Sequence, residues 1–94
     1  MRIVAVCGVG VGTSAILKLN AERALAREGL SAEVSASDLD GVAVAAADAQ
    51  VILVASELAD AVRAAIGRNW AELVPVENIF DVDEIATKLE ASIG

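Results

Sequence analysis

The chain has 94 residues, with 7 Lys plus Arg against 14 Asp plus Glu, a net charge of −7 and no His. That length suits one core and is short for two, so one domain over residues 1–94 is expected. The charge balance sets the surface against polyphosphate backbones and anionic membranes, so no nucleic-acid partner is expected.

The apolar fraction is 56%, with one Phe, one Trp and no Tyr. Such a core is built from Ala, Val, Ile and Leu, the palette of a parallel sheet covered by helices. The single cysteine excludes an internal disulfide and fits a reducing compartment. The apolar stretch around Gly41–Ser56 is interrupted by Asp48 and Gln50 and falls short of the ~20 residues a membrane span needs. Ile3–Val6 is likewise shorter than the ~7 apolar residues of a secretion signal, so a cytoplasmic protein is expected.

Arg2–Val6 is a short apolar run ending in glycines and predicts strand 1. From Ser14 to Glu28 the period becomes helical: Leu17, Ala21, Ala24 and Leu25 share one face, and Lys18, Glu22, Arg23 and Arg27 the other. Gly29 supplies the left-handed stop. Leu30–Ala36 predicts strand 2, and Asp38–Ala47 a loop with a short Ala-rich helix. Gln50–Ala55 is apolar on both faces and predicts a central strand.

Ser56 is placed to cap a helix over Glu57–Ile66, which Gly67 ends. Leu73–Val76 predicts strand 4, and Pro75 assigns it to an edge. Asp81-x-x-Glu84 reads as a capping box for a last helix striped by Val82, Ile85, Leu89 and Ile93. Alternating β-α units joined by right-handed crossovers give one four-stranded parallel sheet, order 2-1-3-4, with helices on both faces. Ligands of such α/β folds bind beyond the carboxyl ends of the strands, where the order reverses beside strand 1. Cys7 is at that place.

The residues after strand 1 read Cys7-Gly-Val-Gly-Val-Gly-Thr-Ser14. Gly8, Gly10 and Gly12 let successive N–H groups point inward as a nest for an anion. The helix start near Ser14 adds unpaired N–H groups and the positive end of its dipole. Gly8, Val9, Gly10, Val11, Gly12, Thr13 and Ser14 are therefore the predicted phosphate-binding segment. The same field favours thiolate over thiol at Cys7, the predicted nucleophile. The chemistry expected is attack of sulfur on phosphorus, giving a phosphocysteine held by main-chain donors.

Other readings of this loop are weaker. A lone Cys after a strand is often buried filler. No Gly-Lys-Ser/Thr follows, which excludes a Walker A loop. Gly10-x-Gly12-x-x-Ala15 with Asp38 approaches a dinucleotide fingerprint, but that fold needs about six strands and this chain has room for four. Cys-x5-Thr-Ser is spaced like the Cys-x5-Arg loop of cysteine phosphatases, with Thr13 where the clamp Arg would be. Slow hydrolysis is expected, and a thiophosphate here awaits another acceptor. A low-molecular-weight cysteine phosphatase, a thiol-dependent reductase and a non-covalent anion sensor are the competing functions.

CGVGVGTS after strand 1, the helix beginning TSAILK and the tail NIFDVDEIATKL resemble an enzyme IIB component of the bacterial phosphoenolpyruvate-dependent sugar phosphotransferase system. The resemblance covers nearly the whole chain. Its loop most resembles the ascorbate type, with galactitol-type proteins next and the lactose/cellobiose type further away. The resemblance implies a relay in which a IIA phosphohistidine passes its phosphoryl group to Cys7. Cys7 then passes it to an ascorbate-like or alditol sugar bound by the membrane transporter IIC. No cofactor or metal is implied. The absence of His fits this division, since the imidazole carrier and any sugar-hydroxyl base belong to the partners.

Val9 and Val11 are either a docking surface or folded onto the sheet edge. Lys18 is expected on a solvated face. Trp70 and Phe80 are expected as packing residues under the loop-rich end, and Asn78 as a tie for the turn before the last helix. Ser56 and Glu57 border the predicted site or serve as helix-start residues.

Overall fold

The computed structural model describes residues 1–7, 13–67 and 69–93, the side chains of residues 13 and 14 excepted. Its strands are β1 (Arg2–Val6), β2 (Glu33–Ser37), β3 (Val51–Ala55) and β4 (Glu72–Val76). Its helices are α1 (Thr13–Glu28), α2 (Val42–Ala45), α3 (Ala59–Ile66) and α4 (Val82–Ile93), with a 3₁₀ turn over Ser56–Leu58. The strands form one parallel sheet in the order β2-β1-β3-β4, the predicted order.

Side-chain alternation along β1 and β3 divides the core into two layers. Ile3, Ala5, Val51 and Leu53 face α1 and α4, where Leu17, Ala21, Ala24, Leu25, Ile85, Ala86 and Leu89 are buried with them. Val4, Val6, Ile52 and Val54 face the other way, against Val42, Ala46 and Val62. All five residues of β3 are buried, as its unbroken apolar run requires. Each large aliphatic side chain removed from water contributes about 1.5–3 kcal/mol, and no aromatic ring is needed to fill either layer.

The helix ends follow the glycines. Gly29, at φ 68°, ends α1. Its N–H donates to the Ala26 carbonyl at 3.3 Å and the Leu30 N–H to the Leu25 carbonyl at 2.9 Å, the paired bonds of a Schellman motif. That motif occupies Leu30, so β2 begins later than the predicted Leu30–Ala36; pairing opens where the Glu33 N–H meets the Met1 carbonyl at 2.9 Å. Pro75 lies on the edge strand β4 and is exposed. Lys88 Nζ of α4 donates to its carbonyl oxygen at 2.6 Å.

Two local expectations change. Ser56 does not cap a helix: the chain makes a 3₁₀ turn there, α3 starts at Ala59, and no side chain caps either start. Ser56 Oγ donates instead to Glu77 Oε2 at 3.2 Å, across to the end of β4. At α4, Asp81 does cap, its Oδ1 accepting the Glu84 N–H at 3.1 Å. Glu84 does not complete the box, because its carboxylate is used by the loop before the helix.

Candidate functional site

Because all four strands run the same way, their carboxyl ends gather at one pole of the sheet. Cys7 follows the last residue of β1 there, 5% exposed and free of any disulfide. It counts among the buried residues of the core. It also lines a cavity of about 400 Å³ with Ala55, Glu57, Glu77, Asn78, Ile79 and Phe80 among the described residues. Burial agrees with core filler, and the cavity gives the sulfur an opening over the ends of β1, β3 and β4.

The predicted phosphate-binding loop from Gly8 to Gly12 lies outside the described residues, and with it Val9 and Val11. Thr13 and Ser14 are the first residues of α1, and their side chains also lie outside what is described. The helix therefore begins six positions after Cys7.

The wall opposite the thiol is the segment from Glu77 to Phe80, and it is held from two sides. Glu84 accepts the Glu77 N–H at 2.7 Å and the Asn78 N–H at 2.9 Å, while Lys88 Nζ donates to the same carboxylate at 2.7 Å. Burial acts to raise the Glu84 carboxyl, but the Lys88 and backbone donors outweigh it and hold the group below its ordinary value. From the other side Asn20 Nδ2 donates to the Ile79 carbonyl at 2.8 Å. Asn78 itself accepts the Phe80 N–H at 3.0 Å through Oδ1, and its carbonyl accepts the Asp81 N–H at 3.0 Å. The expectation for Asn78 holds.

Asn20 went unremarked in the sequence. Its signal is a polar residue beside the apolar stripe Leu17-Ala21-Ala24, and it is buried to 6% exposure. Such a group needs a partner, and the partner is the site wall. Glu57 borders the cavity, as its position after β3 allowed. Ser56 is not among the lining residues, although it bonds to Glu77, which is.

Phe80 and Trp70 overturn their expectation as packing residues. Phe80 is 67% exposed and lies on the cavity rim, and Trp70 is 99% exposed. The aliphatic layers are complete without them, so both rings remain outside. Lys18 pairs with Glu22 at 3.5 Å, one turn along α1, in keeping with a solvated face. Asp38, the acid of the dinucleotide reading, accepts the Gly41 N–H at 2.7 Å and shapes the turn before α2. Among the described residues no group of three or more His, Cys, Asp or Glu could hold a metal ion. Among them also, no helix is long and apolar enough to cross a membrane.

A parallel sheet with a thiol over the carboxyl end of a central strand defines the class, and comparison with known proteins supplies the family. The family model described as "PTS system, Lactose/Cellobiose specific IIB subunit" matches residues 2–91, and the chain belongs to that family. It is thus a IIB component of a sugar phosphotransferase system, a class that works with IIA and IIC components. The match corrects the subtype expected from the loop: it falls on the lactose/cellobiose family and not on the ascorbate or galactitol type. The expectation rested on the eight residues from Cys7 to Ser14, whereas the family match extends over nearly the whole chain.

The fold is similar to the lactose-specific IIB component domain of the phosphoenolpyruvate:carbohydrate phosphotransferase system from Streptococcus pneumoniae, with a TM-score of 0.75. The identity is 11%, over 100% of this chain and 98% of that one, so the likeness concerns the fold. No curated protein matches the chain in sequence.

Proposed function

We propose that this chain, acting as one domain over residues 1–94, carries a phosphoryl group on Cys7 between a IIA phosphohistidine and a sugar held by the transporter IIC. The observation that carries the reading is the placement of Cys7: it follows a central strand and lines the cavity at the carboxyl pole. Family membership supports the reaction class, and the onset of α1 at Thr13 supports an anion beside the thiol.

In the first transfer the sulfur forms a bond to phosphorus as the P–N bond of the phosphohistidine breaks. The electron pair of that bond returns to the imidazole. In the second transfer a sugar hydroxyl oxygen forms its bond to phosphorus while the S–P bond breaks. The pair stays on sulfur as thiolate, and the hydroxyl proton goes to a base of the transporter, since this chain has no His. Gly8 to Ser14 are the proposed holders of the phosphoryl oxygens, mainly through main-chain N–H groups. The proposed sugar follows the family description, a lactose- or cellobiose-type disaccharide, and it is recognised by the transporter. The reaction takes place at the cytoplasmic face of that transporter.

Intact-mass measurement after incubation with phosphorylated IIA tests the relay. A phosphate-sized gain is expected in the wild type and none in Cys7→Ser, because a hydroxyl without a nearby base is a poor nucleophile. A gain that survives the substitution removes Cys7 from the mechanism. Steady release of inorganic phosphate from an aryl phosphate would favour a phosphatase instead.

A further inference from the structure

The charge around Cys7 is the wrong sign for the group it is to carry. Of the seven described residues lining the cavity, Glu57 and Glu77 are the charged ones, and both are exposed carboxylates. None of the seven is Lys or Arg. The Gly8–Gly12 stretch adds no charged side chain by sequence. Lys18, the first cation of α1, is paired with Glu22, and Lys88 is bound to Glu84 and the Pro75 carbonyl. A phosphoryl dianion arriving here meets two like charges on a chain of net charge −7.

We propose that this rim is a receptor for a cationic partner surface, and that the phosphohistidine donor protein brings the positive charge the site lacks. The inference rests on the proposed relay through Cys7. The occupant is a protein face that carries Arg or Lys around its phosphohistidine and a shallow apolar depression beside it. Glu57 and Glu77 receive the cations, and Phe80 enters the depression.

Three observations converge on this occupant. The carboxylates are complementary to a basic face and repel an acidic one. Phe80 leaves two thirds of its surface in water at the rim, the position of an aromatic anchor. The rim is held in place before any partner arrives: Ser56 bonds the Glu77 side chain, Glu84 its N–H, and Asn78 the Phe80 N–H. Little backbone reordering of this segment is then left for docking. The donor's cations also neutralise the incoming dianion at the moment of transfer, and when the donor leaves the carboxylates again oppose the phosphoryl group on sulfur.

The sign of a mutational effect tests the proposal. Phosphoryl transfer from phosphorylated IIA is measured by intact mass over a range of salt, for the wild type and for Glu57→Gln/Glu77→Gln and Phe80→Ala. Folding is checked by circular dichroism. The double variant is expected to lose about tenfold in kcat/KM at low salt and to lose most of its salt dependence, as steering by opposite charge is removed. Phe80→Ala is expected to lose about tenfold, mainly in KM, for a truncated aromatic anchor. Faster transfer by the neutralised variant overturns the proposal, because the carboxylates would then only repel the phosphoryl group. Unchanged transfer by both variants overturns it as well, as does a defect confined to sugar phosphorylation with normal loading from IIA. Failure of the wild type itself to become phosphorylated would strike at the relay instead.

Discussion

The two poles of the sheet are made from similar parts. At the carboxyl pole, Phe80 stands exposed beside a cavity of about 400 Å³; at the amino pole, Trp70 stands exposed beside one of about 530 Å³. What differs is the use of the polar groups. At the amino pole they serve one another. Arg2 pairs with Asp48 at 2.9 Å, its N–H donates to Gln50 Oε1, and Asn69 bonds the Ala46 carbonyl and the Ala71 N–H, both at 2.7 Å. At the carboxyl pole, Glu84 and Asn20 stay behind the wall as supports, while Cys7, Glu57 and Glu77 line the opening. An exposed ring beside a hollow is thus a poor marker of function. A thiol in a recess with outward-facing charges and a braced wall is a better one.

The largest expected effect separates the poles outright. Cys7→Ala abolishes phosphorylation by IIA, whereas Trp70→Ala leaves its rate unchanged. Because Trp70 is the sole tryptophan, its fluorescence sharpens the same contrast. The emission of the wild-type chain is expected to be that of a water-exposed indole and not to shift when IIA binds at the opposite pole; a blue shift on mixing would place the partner at the wrong end.

Next come the supports of the wall. Asn20→Ala leaves the Ile79 carbonyl without its donor, and Glu84→Ala does the same to two N–H groups. Asn20→Ala, at a part-buried bond, is expected to cost about 1–3 kcal/mol in denaturant unfolding, and Glu84→Ala, whose bonds to the two N–H groups are exposed to water, about 0.5–1.5 kcal/mol. Both are also expected to slow transfer from IIA, since they loosen the segment that carries Glu77 and Phe80. Loss of stability with unimpaired transfer would show that the wall matters only to the fold.

Acid should reproduce part of that effect. Glu84 titrates below its ordinary 4.5 in the folded chain. Its contribution is therefore complete above 4.5 and declines as the pH falls through the lowered folded-state value. The difference in stability between wild type and Glu84→Gln should shrink over that acidic window; a constant difference would remove the ionised carboxylate from the explanation. The smallest effect belongs to the amino pole. Asp48→Asn breaks a half-exposed pair with Arg2 and is expected to change stability by less than about 1 kcal/mol.

Much of this molecule could be read without coordinates, for identifiable reasons. The run VILVA can be buried on both faces only in the middle of a parallel sheet, and β3 is there. Gly29 and Gly67 could end helices because they alone tolerate the positive φ they adopt. The 2-1-3-4 order followed from β-α alternation and the hand of the crossovers. The thiol after β1 is at the carboxyl pole, where the strand order put it.

Other features depended on distance through space. Ser56 and Glu57 suited a helix cap by their local pattern, yet Ser56 turned to Glu77, 21 positions along the chain. Glu84 fitted a capping box and was drawn away by two N–H groups of the preceding loop. Phe80 and Trp70 suit packing under the loop-rich end by hydrophobicity, but both rings stand in water. Local sequence therefore determined the backbone path and the strand order, because periodicity, glycine conformation and chain connectivity act over short range. Which polar group met which partner, and which ring remained in water, depended on how the finished layers filled space. That competition is settled only when distant segments are packed together.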